Sequence, residues 1–303
     1  MMKHWEHTEL VTEADFTLFS KSNHIITSST SIPANTAVYV SYRDKRLEGI
    51  YDPGLKGIRP LKNKTAPNRD LRLYLDAIDS PHMTMVAIDG LMGTGKTSTC
   101  VEAVINRHLQ GVKRAMGMKL QEHRAGDHKV LIAKPHVNAG GQTEQIGHLP
   151  GDIDEKMDPT LRNFIQYFDR FHQAGFEALR EAKYVEILPL GFIRGLDAMN
   201  LTIIVDECQN TRELVSTATR KAAGSRIFFL GDTSPFQIDL AGNTPKDNGL
   251  THLVDLLRGA PYFQYIEMKT LEHIVRSDEV RDIVRRLFKK YGQDPQEWAV
   301  SSK

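Results

Sequence analysis

Four short runs of this chain are apolar almost without interruption: TMVAID (84–89), KVLIAKP (129–135), LTIIVD (201–206) and RIFFLGD (226–232). Continuous hydrophobicity, as opposed to alternation, suits strands covered on both faces, the usual state of a parallel sheet. Between these runs the period lengthens to that of a helix, in STCVEAVINRHL (98–109) and DPTLRNFIQYFDRFHQAG (158–175). Near the end, DEVRDIVRRLFKKY (278–291) puts Val280, Ile283, Val284 and Leu287 on one face and basic residues on the other. Strands alternating with helices predict a wound α/β sheet. The first 55 residues read as short strands and turns: TAVYVSYR (36–43) alternates like a strand and YDPGLKG (51–57) is turn chemistry. IRPLKNKTAPNRD (58–70) is polar and basic and reads as a connector to a short helix over LRLYLDAI (71–78). The expected organisation is a small β-containing extension, 1–55, followed by an α/β domain, 56–303.

Composition narrows the class. A chain of 303 residues, 40% apolar and 25% charged, is long enough for a sizeable core and ordinary for a globular protein. A net charge of +1 exerts no global pull on nucleic acid, so any such binding needs a local patch. Cys100 and Cys208 are too few for a disulfide framework and fit a reducing compartment. No apolar run reaches membrane-spanning length and the start lacks a secretory pattern. The expectation is a soluble, cytoplasmic protein with no membrane partner. The twelve histidines show no zinc-site spacing.

The chemistry begins where the first apolar run stops. Gly90, Leu91, Met92, Gly93, Thr94, Gly95, Lys96 and Thr97 match G-x-x-x-x-G-K-T, with a strand before and a helix after. Glycines let backbone N–H groups curl around phosphate oxygens, and the helix opening at Thr97 and Ser98 adds the positive end of its dipole. Lys96 is the candidate for the β/γ-phosphates, Thr97 for Mg²⁺. The third run ends in Asp206-Glu207, two adjacent acids that call for a nearby cation. A Mg²⁺ on nucleotide phosphates is that cation; Asp206 is the candidate metal carboxylate and Glu207 the base that activates water.

Together GLMGTGKT and Asp206-Glu207-Cys208-Gln209-Asn210 resemble the superfamily 1 helicase-like P-loop ATPases. More narrowly, the chain resembles the PhoH-like family. GIRP (57–60), LPGDIDEKMDP (149–159), LPLGFIRG (188–195), VDECQN (205–210), GD…QID (231–239) and DNGLTHLVDLLRG (247–259) occur in that family's order, over roughly residues 56–290. The resemblance implies a RecA-like P-loop fold, a mainly parallel sheet flanked by helices. It implies ATP or another NTP with Mg²⁺ as cofactors. Gln237 becomes the γ-phosphate sensor, supported by Asp232, and Gln209 couples the hydrolysis site to its neighbours. Arg194 and Arg276 stand where an arginine could approach the nucleotide, Arg276 as a finger supplied in trans.

Three departures matter. Leu71 stands where longer members carry a glutamine suited to adenine, which leaves base selectivity open. GDTSPFQID holds extra residues between Asp232 and Gln237, so the sensor loop is expected to be displaced. Too little chain precedes the resemblance for the PIN-type nuclease domain of longer forms, so no nuclease activity is expected. One RecA-like lobe lacks the second wall of a helicase cleft, which predicts a homo-oligomer, a ring, completed by Arg276. Basic clusters at Lys56, Arg59, Lys62, Lys64, Arg69 and Arg72 and at Arg281, Arg285, Arg286, Lys289 and Lys290 are candidates for single-stranded RNA or DNA. A nucleotide-dependent switch that binds a protein stays open beside the motor, with a small-molecule kinase third. Cys208 reads as a small packed residue, or as a thiol that exposes the site to alkylation.

Overall fold

The computed structural model describes residues 7–28, 30–62, 66–112, 120–124, 126–135, 161–195, 199–212 and 214–293, excepting the side chains of 194 and 195. LPGDIDEKMDP and Lys64 lie outside the described residues. The chain forms two compact units, one from residues up to Val86 with Leu256–Glu267, the other from Ala87–Asp255 with Met268 onward.

The first unit holds β1 (His7–Leu10), α1 (Glu13–Lys21), β2 (Ala37–Tyr42), β3 (Lys45–Asp52), β4 (Gly57–Pro60) and α2 (Arg69–Asp79). Its sheet runs β1-β2-β3-β4, with β1 parallel to β2 and the other pairs antiparallel. The helix α1 was not expected. Its signals are local: Thr12 caps it by accepting from the Asp15 N–H at 3.2 Å, and Glu13 and Asp15 fill the first turn. Phe19 is buried against Val38, Val40 and Ile58, with Phe16 packed beside them.

The stretch 58–70 is not the solvated connector its composition predicts. Its beginning is β4, and Arg59 is buried there. The Arg59 guanidinium donates to both carboxylate oxygens of Asp76, at 2.8 and 2.7 Å, and its Nε donates to Asp52 at 3.0 Å. A buried guanidinium is tolerable only when paired in this way.

The remaining strands are β5 (Met85–Gly90), β6 (Lys129–Lys134), β7 (Val185–Pro189), β8 (Leu201–Val205), β9 (Arg226–Gly231) and β10 (Phe263–Met268). They form one parallel sheet in the order β10-β5-β9-β8-β6-β7. The helices between them are α3 (Lys96–Val104), α4 (Arg162–Phe171), α5 (Gly175–Glu181), α6 (Leu214–Ala218), α7 (Gly249–Leu257) and α8 (Asp278–Lys290). The expected α/β architecture is present. β5, β8 and β9 are buried along their whole length, which is why their sequences do not alternate. All six strands point the same way, so Gly90, Lys134, Asp206 and Asp232 end at or just beyond the carboxyl edge, where open α/β sheets bind ligands.

On α8 the inward face differs from the expected one. Val284 and Phe288 are buried, Val280 packs beside them, and Ile283 is 52% exposed. Positions 280, 284 and 288 form an i, i+4, i+8 row, and Phe288 supplies the largest apolar surface on it.

After α3 the chain continues as a π-helical turn, Ile105–Leu109, which carries His108. The His108 ring stacks on that of His128, with centroids 3.6 Å apart and planes 9° apart, and His128 Nε2 lies 2.8 Å from Thr202 Oγ1. Burial, then His128, Arg107 and Arg226, hold His108 down to about 3. Burial, Arg107, Arg226 and His123 hold His128 down to about 4. Both rings are therefore neutral in the folded chain, whereas histidines of the unfolded chain protonate near 6.5. As pH falls below about 6.5 the unfolded state takes up protons that the folded state refuses, so stability falls until pH nears 3–4. Urea unfolding at stepped pH is expected to show this slope, and His108→Gln to reduce it.

Candidate nucleotide site

The loop after β5 is built by backbone demands. Gly93 and Gly95 have φ of +82° and +80°, a region that side chains strongly disfavour. A Cβ added at Gly93 would also stand 3.1 Å from Val280 Cγ1 and 3.2 Å from Ile274 Cγ2. Leu91 is fully buried and Met92 packs with it against Ile274, Val284 and Phe288, so the apolar positions of the motif anchor the loop. The Thr94 hydroxyl donates to the Leu91 carbonyl at 2.8 Å; the Leu91 N–H donates to Met268 O at 3.1 Å, and the Val275 N–H to Gly93 O at 3.0 Å. Gly95 then opens α3 with no side-chain cap, and a helix N-terminus so built is a natural seat for an anion. Lys96, Thr97 and Ser98 form its first turn. Beneath the loop, Asp89 accepts from Lys269 Nζ at 2.7 Å and from the Thr233 hydroxyl at 2.7 Å, tying β5 to the ends of β10 and β9.

Two strand tips face this loop electrostatically. Asp206 is 7% exposed; burial raises its carboxyl pKa, Lys134 and Lys96 draw it back down, and Glu207 pushes it up. Asp232 is buried and pushed up to about 6 by burial, against the pull of Lys96 and Ser234. One oxygen, Asp232 Oδ2, has no hydrogen-bond partner. Glu207 takes a left-handed backbone, φ 56° and ψ 40°, which costs a non-glycine residue on the order of 1 kcal/mol. Its Oε2 accepts from Gln209 Nε2 at 2.7 Å. Gln209 is fully buried and also donates to Gln237 O at 3.0 Å and accepts from the Asp232 N–H at 3.0 Å, so one amide links the tips of β8 and β9 to the 233–240 loop. The Thr97 hydroxyl and the Asp206 carboxylate are hard oxygen donors of the kind Mg²⁺ takes. Among the described residues no three His, Cys, Asp or Glu side chains cluster to hold a metal.

With this geometry in view, comparison with known proteins is decisive at the level of family: the family described as "PhoH-like protein" matches residues 64–288. The chain belongs to the PhoH family. A PhoH-like protein of Mycobacterium tuberculosis is 31% identical over 214 residues, covering 70% of this chain and 54% of that protein. That of Bacillus subtilis is 32% identical over 213 residues, 66% of this chain and 57% of the relative. Protein PhoH2 of Mycolicibacterium smegmatis is 24% identical over 268 residues, 84% and 56% respectively. The chain thus spans about half the length of the curated relatives it matches. Among solved structures, the Legionella pneumophila ATPase DotB aligns with 95% of this chain and 70% of its own at 12% identity and a TM-score of 0.27, too slight a likeness to carry an argument.

The PhoH motifs outside the phosphate loop are placed unevenly. Gln237 presents its backbone carbonyl, not its amide, to Gln209 and Asn210; its own Nε2 donates to Phe236 O at 3.3 Å. Phe236 anchors that loop by meeting Phe288 edge-on, centroids 5.0 Å apart. Arg276 is exposed, and its Cβ lies 3.4 Å from where a Gly93 Cβ would be, so it is rooted on the phosphate loop of its own chain. Arg194 sits in the 3-10 turn Leu190–Gly195 with its side chain outside the described residues. Leu71 lies in the first turn of α2, its N–H donating to the Asn68 side-chain cap at 2.8 Å. Cys208 is fully buried, and burial with Asp206 and Glu207 pushes its thiol well above the ordinary range, so of its two readings the structure bears out the small packed residue over the alkylation-sensitive thiol. Lys134, Asp89 and Lys269 escaped the sequence reading, and Asn210, though part of the quoted motif, was given no role. KVLIAKP did place a lysine at a strand end, but its neighbour depends on strand order.

Proposed function

We propose that this PhoH chain hydrolyses ATP or another nucleoside triphosphate with Mg²⁺, and that turnover drives work on single-stranded RNA or DNA. One observation carries the first half: a loop built on left-handed Gly93 and Gly95 sets Lys96 at a helix N-terminus, with the buried acids Asp206 and Asp232 at the carboxyl edge of the same sheet. Lys96 and the N–H groups opening α3 bind the β- and γ-phosphates. Thr97 and Asp206 would hold Mg²⁺, which neutralises phosphate charge as the transition state forms. Glu207 accepts a proton as water attacks the γ-phosphorus; the bond from that phosphorus to the β–γ bridging oxygen breaks, leaving the diphosphate and inorganic phosphate. Gln209 sets the Glu207 carboxylate, and the 233–240 loop with Asp232 and Gln237 reads whether the γ-phosphate is present.

The nucleic-acid half is supported by the exposed Lys289 and Lys290 on α8. Several other members of the basic clusters are already engaged. Arg59 is paired with Asp76, Arg72 with Glu48, and Arg285 and Arg286 with Asp282. Arg281 donates to the Leu271 and Ile274 carbonyls. This pairing favours the second reading, a nucleotide-dependent switch that binds a protein. Arg276, rooted against its own Gly93, favours action within one subunit over a finger in trans. Hydrolysis measured with and without single-stranded RNA and DNA at rising salt, alongside the mass in solution, tests these points. Salt-sensitive stimulation is the expected result. Turnover indifferent to every nucleic acid supports the switch, and a monomer at full rate removes the ring.

A further inference from the structure

Lys134 ends β6, and Asp206 follows β8, the next strand over. Ala133 is in register with Val205, and the Asp206 N–H donates to Ala133 O at 2.9 Å, so the two backbones are locked where these side chains emerge. Lys134 Nζ lies 3.6 Å from Asp206 Oδ2, with the two side chains only 14% and 9% exposed. That is an ion pair beyond hydrogen-bond length, made by a compact charge on a four-carbon stem. Asp206 is also the carboxylate that the nucleotide reading gives to Mg²⁺. A strongly hydrated Mg²⁺ binds through one or two carboxylates plus substrate phosphates, and a single carboxylate already facing an ammonium is a poor site for the free ion.

We propose that Lys134 is a resident counter-ion that guards Asp206 from free Mg²⁺, so that the metal gains this carboxylate only together with nucleotide phosphates. The inference rests on the nucleotide reading for the identity of the metal. Lys134 is a positioning residue: it holds Asp206 in place before loading, and the triphosphate's negative charge draws the ammonium off as the complex enters. Loading is thereby ordered, with no metal-first route.

The test uses the full chain without nucleotide, following thermal unfolding as MgCl₂ is added at constant ionic strength. Wild-type protein is expected to show no Mg²⁺-specific shift. Lys134→Gln is expected to be stabilised by Mg²⁺ alone, with an apparent affinity about tenfold or more above wild type, since a positive charge about 4 Å from the site is gone. Lys134→Arg, which keeps the charge, should stay insensitive, and Asp206→Asn in the Lys134→Gln background should abolish the gain. A second measurement needs no variant: Mg²⁺ should stabilise wild-type protein only when ADP is present. Stabilisation of wild type by Mg²⁺ alone, or identical Mg²⁺ responses in wild type and a folded Lys134→Gln, overturns the proposal. Failure of ADP itself to shift the transition counts against the nucleotide reading and leaves the metal-only comparison standing.

Discussion

Lys96→Ala is expected to lower nucleoside triphosphate hydrolysis by at least about 10²–10³-fold and to remove the thermal stabilisation given by nucleotide. Lys96 is the first residue of α3, directly after the left-handed Gly95, so its position is set by the turn and not by a flexible loop. On the proposed reading its charge has two tasks: it would meet the phosphates, and it pulls down the carboxyls of Asp206 and Asp232. Alanine removes both. Asp232, already up at about 6, moves further up when that pull is lost, which eases protonation of the buried carboxyl as a relief for the missing charge. The apo fold is therefore expected to survive while ligand binding fails. Hydrolysis rate and the melting shift with nucleotide read the two tasks separately. Wild-type turnover together with an undiminished shift would sink the assignment of this loop.

What was legible in the sequence was local. The phosphate loop could be read because Gly93 and Gly95 sit where the backbone itself excludes other residues, and β5, β8 and β9 because burial on both faces writes continuous apolar runs. The helix α1 was locally signalled too, by Thr12 with Glu13 and Asp15, but its nine residues carry few apolar positions and its stability comes from Phe19 packing into the sheet core. The rest depends on which strands are neighbours. Arg59 looked like part of a basic connector because its partner Asp76 is seventeen residues away and Asp52 belongs to another strand. Lys134 could not be linked to Asp206 before the order β8-β6 was known. The fate of Cys208 turned on burial beneath two acids, which no spacing encodes. Family resemblance named Gln209 as a coupling residue; the three hydrogen bonds of its amide give that word physical content.

Glu207→Gln is expected to cut turnover by about 10²–10⁴-fold, the range for loss of a general base, with nucleotide binding retained. The substitution is nearly isosteric, and the acceptor oxygen that meets Gln209 Nε2 at 2.7 Å can be kept by the new amide, so the Gln209 bridge to Gln237 and Asp232 stays in place. The left-handed backbone at 207 is equally open to both residues, since its cost arises at Cβ. Electrostatics favour the variant at rest: Glu207 raises the Asp206 carboxyl, so neutralising it eases ionisation of the carboxylate next door. Melting temperature without ligand is therefore expected to be unchanged or higher, and the nucleotide-dependent shift at least as large as in wild type. That combination separates a lost proton acceptor from a damaged fold, because a structural role for Glu207 would lower stability and binding together. Single-turnover hydrolysis in a folded, nucleotide-binding Glu207→Gln at the wild-type rate would place the base elsewhere. Asp232, whose Oδ2 is buried without a hydrogen-bond partner, is then the next residue to change.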